Sequence, residues 1–127
     1  MASRVVSIML IIVAVIHVLP LAGVLGVSQL ASLYAISIHN TNLEILMRHR
    51  AVLFGIVGLF FAYAAFKPVF QPVSFVMAFV SITTFLFLAI SVGDLNPALR
   101  TVFIADLVAL AALLIAVVSY YFQRRRN

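Results

Sequence analysis

The sequence predicts an all-α fold: an integral membrane four-helix bundle, one domain over residues 1–127, with a short interfacial helix between the first and second spans. Three observations carry that expectation. Hydrophobic residues make up 66% of the chain and charged residues 9%, and the mean hydropathy is +1.29. A soluble domain is nearer half apolar and a quarter charged. A water-soluble fold of 127 residues has too little interior for that much apolar surface, so a bilayer must be the solvent for most of it. The apolar residues also fall into four stretches, about 5–25, 42–66, 72–92 and 96–122, each near the ~20 residues that cross a bilayer as a helix. Finally, turn and cap signals mark the junctions between the stretches: the Asn40-Thr41-Asn42 turn, Lys67 with Pro68, and Gly93 through Asn96.

In the first stretch only Ser7, His17 and Pro20 interrupt an apolar run that follows a basic start at Arg4. The same pattern describes a signal peptide, with small Val24 and Gly26 ahead of a cleavage point; a first spanning helix is the expectation here. Pro20 removes a backbone donor and should kink or end the regular helix. Residues 26–38 are less apolar. Ser28 is placed to cap a short helix carrying Leu30, Leu33 and Tyr34, lying flat at the interface.

Residues 40–68 organise the rest. They open on a cap-rich turn, Asn40-Thr41-Asn42, followed by Glu44, Arg48, His49 and Arg50, then an uncharged run to Phe66 that Lys67 and Pro68 stop. At about 100° per residue, Glu44, Arg48, Ala51, Gly55, Gly58, Ala62 and Ala65 share one face. That face is polar at one end and small at the other, and is expected to take the neighbouring helices. Two prolines make residues 67–72 a tight turn. On the third span Ser74, Ser81, Thr84 and Ser91 form a hydroxyl stripe, and Gly93 ends the helix. Asn96 caps the last span, with Pro97 at its first position. There Ala98, Ala105, Ala109, Ala112 and Ala116 form a small face with Asp106 at its edge.

The formal charge of +5 does not point to nucleic acid, because Arg124, Arg125 and Arg126 sit beside Tyr120, Tyr121 and Phe122 at a helix end, the mark of a membrane interface. With no cysteine, thiol–disulfide chemistry and thiolate metal sites are excluded. Four spans put both termini on one side. That side gathers Arg4, Lys67 and the terminal arginines without an acid; the other gathers Arg48, Arg50 and Arg100 with Glu44, Asp94 and Asp106. The positive-inside rule then places both termini in the cytoplasm.

Helix rise puts His17, Arg50 and Asp106 at about 12–15 Å below the outer surface, on three different spans. Unpaired charge at that depth costs about 2.5–3.5 kcal/mol or more, so these groups should find one another, water or headgroups. The candidate polar network or ligand site comprises His17, Glu44, Arg48, His49, Arg50, Asp94, Asn96, Arg100 and Asp106. Glu44 and Arg48 can pair along their own helix. Arg50 points about 140° away from the Glu44 face, which leaves it to pair across a helix interface, meet a second subunit or snorkel outward. With the small-residue faces, that suggests a homodimer or larger membrane complex. Three readings stay open for the cluster: ionic cement for the fold, the polar floor of a ligand pocket, or ion or proton movement and cofactor ligation. His17 reads most simply as a hydrogen-bonded interior histidine. Haem held between His17 and His49 is disfavoured, because His49 is turned about 120° from the inward face of its helix. No metal spacing, phosphate loop, nucleophile elbow or dinucleotide fingerprint occurs, so no catalytic residue, metal or cofactor is assigned from spacing.

Through His17…Pro20, NLEILMRHRAVLFGIVG and NPALRTVFIADLVAL, nearly the whole chain resembles the DoxX-like group of small bacterial four-helix inner-membrane proteins, in particular a branch sharing the RHRAVLFG stretch. The resemblance implies a multi-pass protein of the bacterial inner membrane, linked to membrane redox systems, and hence quinone as a ligand. It carries no catalytic residue onto a position here. Three functional classes follow. The leading expectation is a binding or accessory protein that holds a membrane lipid, a quinone or another lipophilic small molecule, or a partner helix, against the outer polar cluster. The second is a small proton-coupled transporter; four-span multidrug transporters keep an essential acid in their first helix, where this chain has only His17, so Asp106 would have to serve. The third is a lipid-active enzyme using Asp106 or Glu44 as acid or base.

Overall fold

The computed structural model describes residues 2–127, with side chains from Arg4 onward. Five α-helices run α1 (Ala2–Val18), α2 (Val27–Tyr34), α3 (Thr41–Ala65), α4 (Gln71–Val92) and α5 (Pro97–Arg126). Two 3₁₀ segments, Leu19–Leu25 and Pro68–Phe70, link α1 to α2 and α3 to α4. There is no strand among the described residues. Four segments are long and apolar enough to cross a membrane: Arg4–Leu25, Thr41–Ala65, Pro68–Val92 and Pro97–Arg126.

Each boundary has a local cause. Pro20 lacks the N–H that an α-helix would need, and the chain tightens into 3₁₀ from Leu19. Gly26, at φ 144°, then turns the chain into α2 in a conformation that a side chain resists. Asn40 starts α3: its side chain accepts from the N–H groups of Asn42 and Leu43. Asn96 does the same for α5 at Leu99, with Pro97 following as expected.

The spans alternate in direction. Ser7 near the start of α1 donates to the carbonyl of Ala65 at the end of α3, and Phe75 early in α4 packs edge-to-face against Tyr120 late in α5. One end of the bundle thus carries Arg4, Lys67 and Arg124–Arg126, and the other carries the remaining charges. α1 runs through the middle, packed along both α3 and α5. Its Val6, Leu10, Val13 and Ala14 are buried with Phe61, Ala64, Ala78, Ile82, Ala109, Leu113 and Ala116, so the first apolar stretch is a bundle helix. The α3 face works as the spacing predicts: Ala51, Gly55, Gly58 and Ala65 are buried. At Gly58 an added Cβ would strike Val18 Cγ2 and lie 3.0 Å from the Ala14 carbonyl oxygen. Small residues let α1 and α3 approach backbone to backbone, where dispersion rather than water expulsion holds helices together. Large apolar side chains such as Ile56, Leu59, Phe87 and Ile90 point outward.

The connection between α1 and α3 departs from expectation. Ser28 does not cap α2; Gly26 stands at the cap without a side-chain bond, and Ser28 Oγ donates to its neighbour Gln29. Nor does α2 turn its apolar side outward. Leu30 and Tyr34 are buried and, with Ile38, form a second small core against Met47, Leu99 and Val102. α2 is therefore a plug over one end of the bundle, set among the starts of α3 and α5. Its last turn is held by Asn96, whose Nδ2 donates to the carbonyls of Tyr34 (2.8 Å) and Ala35 (3.3 Å).

Candidate functional site

Beneath the α2 plug lies a cavity of about 390 Å³, in the size range of small-molecule sites. Its walls are mostly apolar: Ile16, Leu19 and Pro20 from the first span, Leu33 from α2, Phe54 from α3, Phe85 from α4, and Ala98, Val102 and Ala105 from α5. The alanines of the α5 small face leave the space. Into it project His17, Tyr34, Arg50, Ser81, Thr101 and Asp106, drawn from all five helices.

His17 is buried, and both ring nitrogens are engaged. Nδ1 bonds the Val13 carbonyl oxygen at 2.9 Å, which fixes the proton on Nδ1. In the neutral ring Nε2 then accepts from the Ser81 hydroxyl, also at 2.9 Å. Phe61 packs edge-on at 5.0 Å between centroids and Phe54 at 5.8 Å. His17 is therefore a satisfied interior histidine that ties α1 to α4.

Arg50 and Phe54 lie one helical turn apart on α3, so the guanidinium falls on its own helix's aromatic ring, with Cζ 4.5 Å from the ring centroid. Nη1 donates to the Tyr34 hydroxyl at 3.0 Å, and Cζ is 5.6 Å from the Tyr34 ring centroid. Of the options open to a residue directed away from the Glu44 face, Arg50 takes the contact across a helix interface. The outward Arg50 behind the subunit-contact expectation is not what the structure has.

Asp106 lines the same cavity from α5. Among the described residues it accepts no hydrogen bond and forms no ion pair within 4.0 Å. The ion pair that does form joins Glu44 to Arg48, at 3.3 Å along α3, and Arg48 Nε also donates to the Val24 carbonyl at 2.9 Å. That pair is partly solvated and fastens the end of the first span to α3 outside the cavity. A single network of His17, Glu44, Arg48, Arg50 and Asp106 therefore does not exist. Its members separate into a surface tie (Glu44, Arg48), an interior hydrogen bond (His17) and two charges facing the cavity (Arg50, Asp106). The reason is reach: Glu44 and Arg50 diverge around the helix, and Arg50 turns to Tyr34 of α2 while Arg48 turns to Glu44 and Val24.

His49, Asp94 and Arg100 are exposed and outside the cavity, so His17 and His49 are not brought together. Asn96 caps α5 and anchors α2. Among the described residues no group of three His, Asp or Glu side chains takes a metal-binding arrangement. Sequence reasoning missed Tyr34, which was expected at an interface, and Phe54. Ser81 was noted only as part of a hydroxyl stripe. The Arg50–Phe54 spacing was the signal that could have found Phe54.

A second hollow, about 440 Å³, lies along the seam between α3 and α4. α4 packs mainly on α5, which leaves this seam open, lined by Leu53, Phe54, Val57, Val76, Met77, Val80 and Ser81. Phe54 and Ser81 belong to both hollows.

No protein-family model, curated protein or solved structure matches the chain.

Proposed function

We propose that this chain is a membrane-embedded binding protein that holds an amphipathic small molecule of the bilayer, a lipid or a quinone, in the cavity under α2. The observation that carries the reading is the cavity: apolar walls, with Arg50, Tyr34 and Asp106 converging on it from three helices. Small-molecule sites combine an apolar lining with a few placed polar groups in this way. Charged side chains inside membrane helices are costly and mark sites by default. His17 supports the floor and has no free nitrogen to offer. The resemblance to the DoxX-like group, which rests on the sequence stretches quoted above, is in keeping with an accessory protein of the bacterial inner membrane. The charge count supports cytoplasmic termini, with the cavity in the outer half.

The test is to purify the wild type and Ala105→Phe in mild detergent and identify what co-purifies by mass spectrometry. Ala105 lines the cavity from the small face of α5, so phenylalanine fills it from within. A lipophilic species retained by the wild type and lost from the variant, with both melting alike, is the expected result. The same species at the same level in both would overturn the reading.

A further inference from the structure

We infer that the site selects amphipaths of zero net charge, seating the head between Arg50 and Asp106 and the hydrocarbon chain in the groove between α3 and α4. The inference rests on the binding reading above and names the ligand chemistry.

The head is defined by two unspent groups. Arg50 uses Nη1 on Tyr34 and stacks on Phe54, which leaves most of its five N–H donors for a ligand. Asp106 brings acceptor oxygens that no described residue uses. A complementary head offers an acceptor to the guanidinium and a donor to the carboxylate, as the hydroxyls of a glycerol ester do. Net charge decides between candidates. One cation and one anion already face the cavity, so a neutral head leaves the site balanced. An anionic head would meet Arg50 but leave an excess negative charge beside Asp106, and a cationic head would do the reverse beside Arg50. Excess charge in a low-dielectric interior is strongly unfavourable.

The chain is placed by continuity. Phe54 and Ser81 line both the cavity and the groove, so the two hollows are neighbours, and the proposed ligand passes from one to the other past these two side chains. The groove's other walls, Leu53, Val57, Val76, Met77 and Val80, are apolar, and the exposed side chains of α3 and α4 include apolar Ile56, Phe79 and Phe87. A ligand arriving from the bilayer can keep its chain among apolar groups throughout.

Three probes with one oleyl-type chain isolate the head: monooleoylglycerol, oleate and oleylamine. Binding of each to the purified protein is measured in detergent by native mass spectrometry. The wild type should favour monooleoylglycerol by about tenfold over either charged probe, since like-charge juxtaposition suppresses wrong partners. Asp106→Asn, which leaves Arg50 uncompensated, should shift the preference to oleate. Arg50→Gln should shift it to oleylamine. Combining the two should restore the preference for the glycerol ester, so the inference is tested even where one single variant folds poorly. Val57→Trp, which fills the groove, should weaken all three probes together. If the probes bind the wild type and Ala105→Phe abolishes binding, but the head preference is the same in every variant, the charge selection is wrong and the binding reading stands. If no probe binds the wild type, the head-and-chain assignment falls, while the binding reading stands or falls on the co-purification comparison of the wild type with Ala105→Phe.

Discussion

His17 Nε2 and the Ser81 hydroxyl meet at 2.9 Å and join α1 to α4, two helices that run parallel and are each packed mainly on α5 or α3. Ser81→Ala leaves a buried imidazole nitrogen without its partner. The expected cost is about 1 kcal/mol, because hydrogen bonds between membrane helices contribute modestly on average. Reversible unfolding in mixed micelles measures it, and Ser81→Thr, which keeps the hydroxyl, should lie nearer the wild type. An unchanged unfolding curve for Ser81→Ala would show that the bond does not hold α4 in place.

Asn96 serves two helices with one side chain. Its Oδ1 caps α5 at the Leu99 N–H, 2.8 Å away, and its Nδ2 holds the end of α2 through the Tyr34 carbonyl. Asn96→Ala loses both and should cost about 2 kcal/mol. Asn96→Asp keeps the cap and loses the donor, for about 1 kcal/mol. Because Tyr34 orients Arg50, both variants should also weaken ligand retention. Equal stability of Asn96→Asp and the wild type would mean that the tie to α2 contributes nothing.

Gly58 and Gly55 lie one turn apart on the same face of α3 and should respond differently to alanine. At Gly58 the new Cβ meets backbone atoms of Ala14 and Val18, both at 3.0 Å, and backbone cannot step aside. At Gly55 it meets the side-chain tip of Leu21 at 2.7 Å, which can rotate. Gly58→Ala should destabilise by about 1–3 kcal/mol in spite of alanine's better helix propensity, and Gly55→Ala by less. Thermal unfolding of the two variants side by side checks the order; the opposite order would place the closest approach of α1 and α3 elsewhere.

Orientation is open to chemical labelling, since the chain has no cysteine of its own. With cytoplasmic termini, Asn127→Cys should be shielded from an impermeant thiol reagent in whole cells, while Asn40→Cys should react. The reverse pattern would turn the cavity toward the cytoplasm.

The sequence by itself indicated the number of long apolar helices and the small-residue packing faces of α3 and α5. Each rests on interactions local to one helix: apolar run length, the caps at Asn40 and Asn96, the break at Pro20, and small residues recurring on one face of α3 and α5. It also put His17, Arg50 and Asp106 at a common level along the helices, since rise per residue sets that level, and the three line one cavity. Only the tertiary structure decided which of these groups meet. The plug formed by α2 put the Tyr34 hydroxyl in front of Arg50, and the lean of α4 toward α5 opened the groove beside Phe54 and Ser81. Those relationships join residues far apart in the chain through the angles at which helices cross. Those angles depend on side-chain shape summed over whole interfaces, which no single periodicity records.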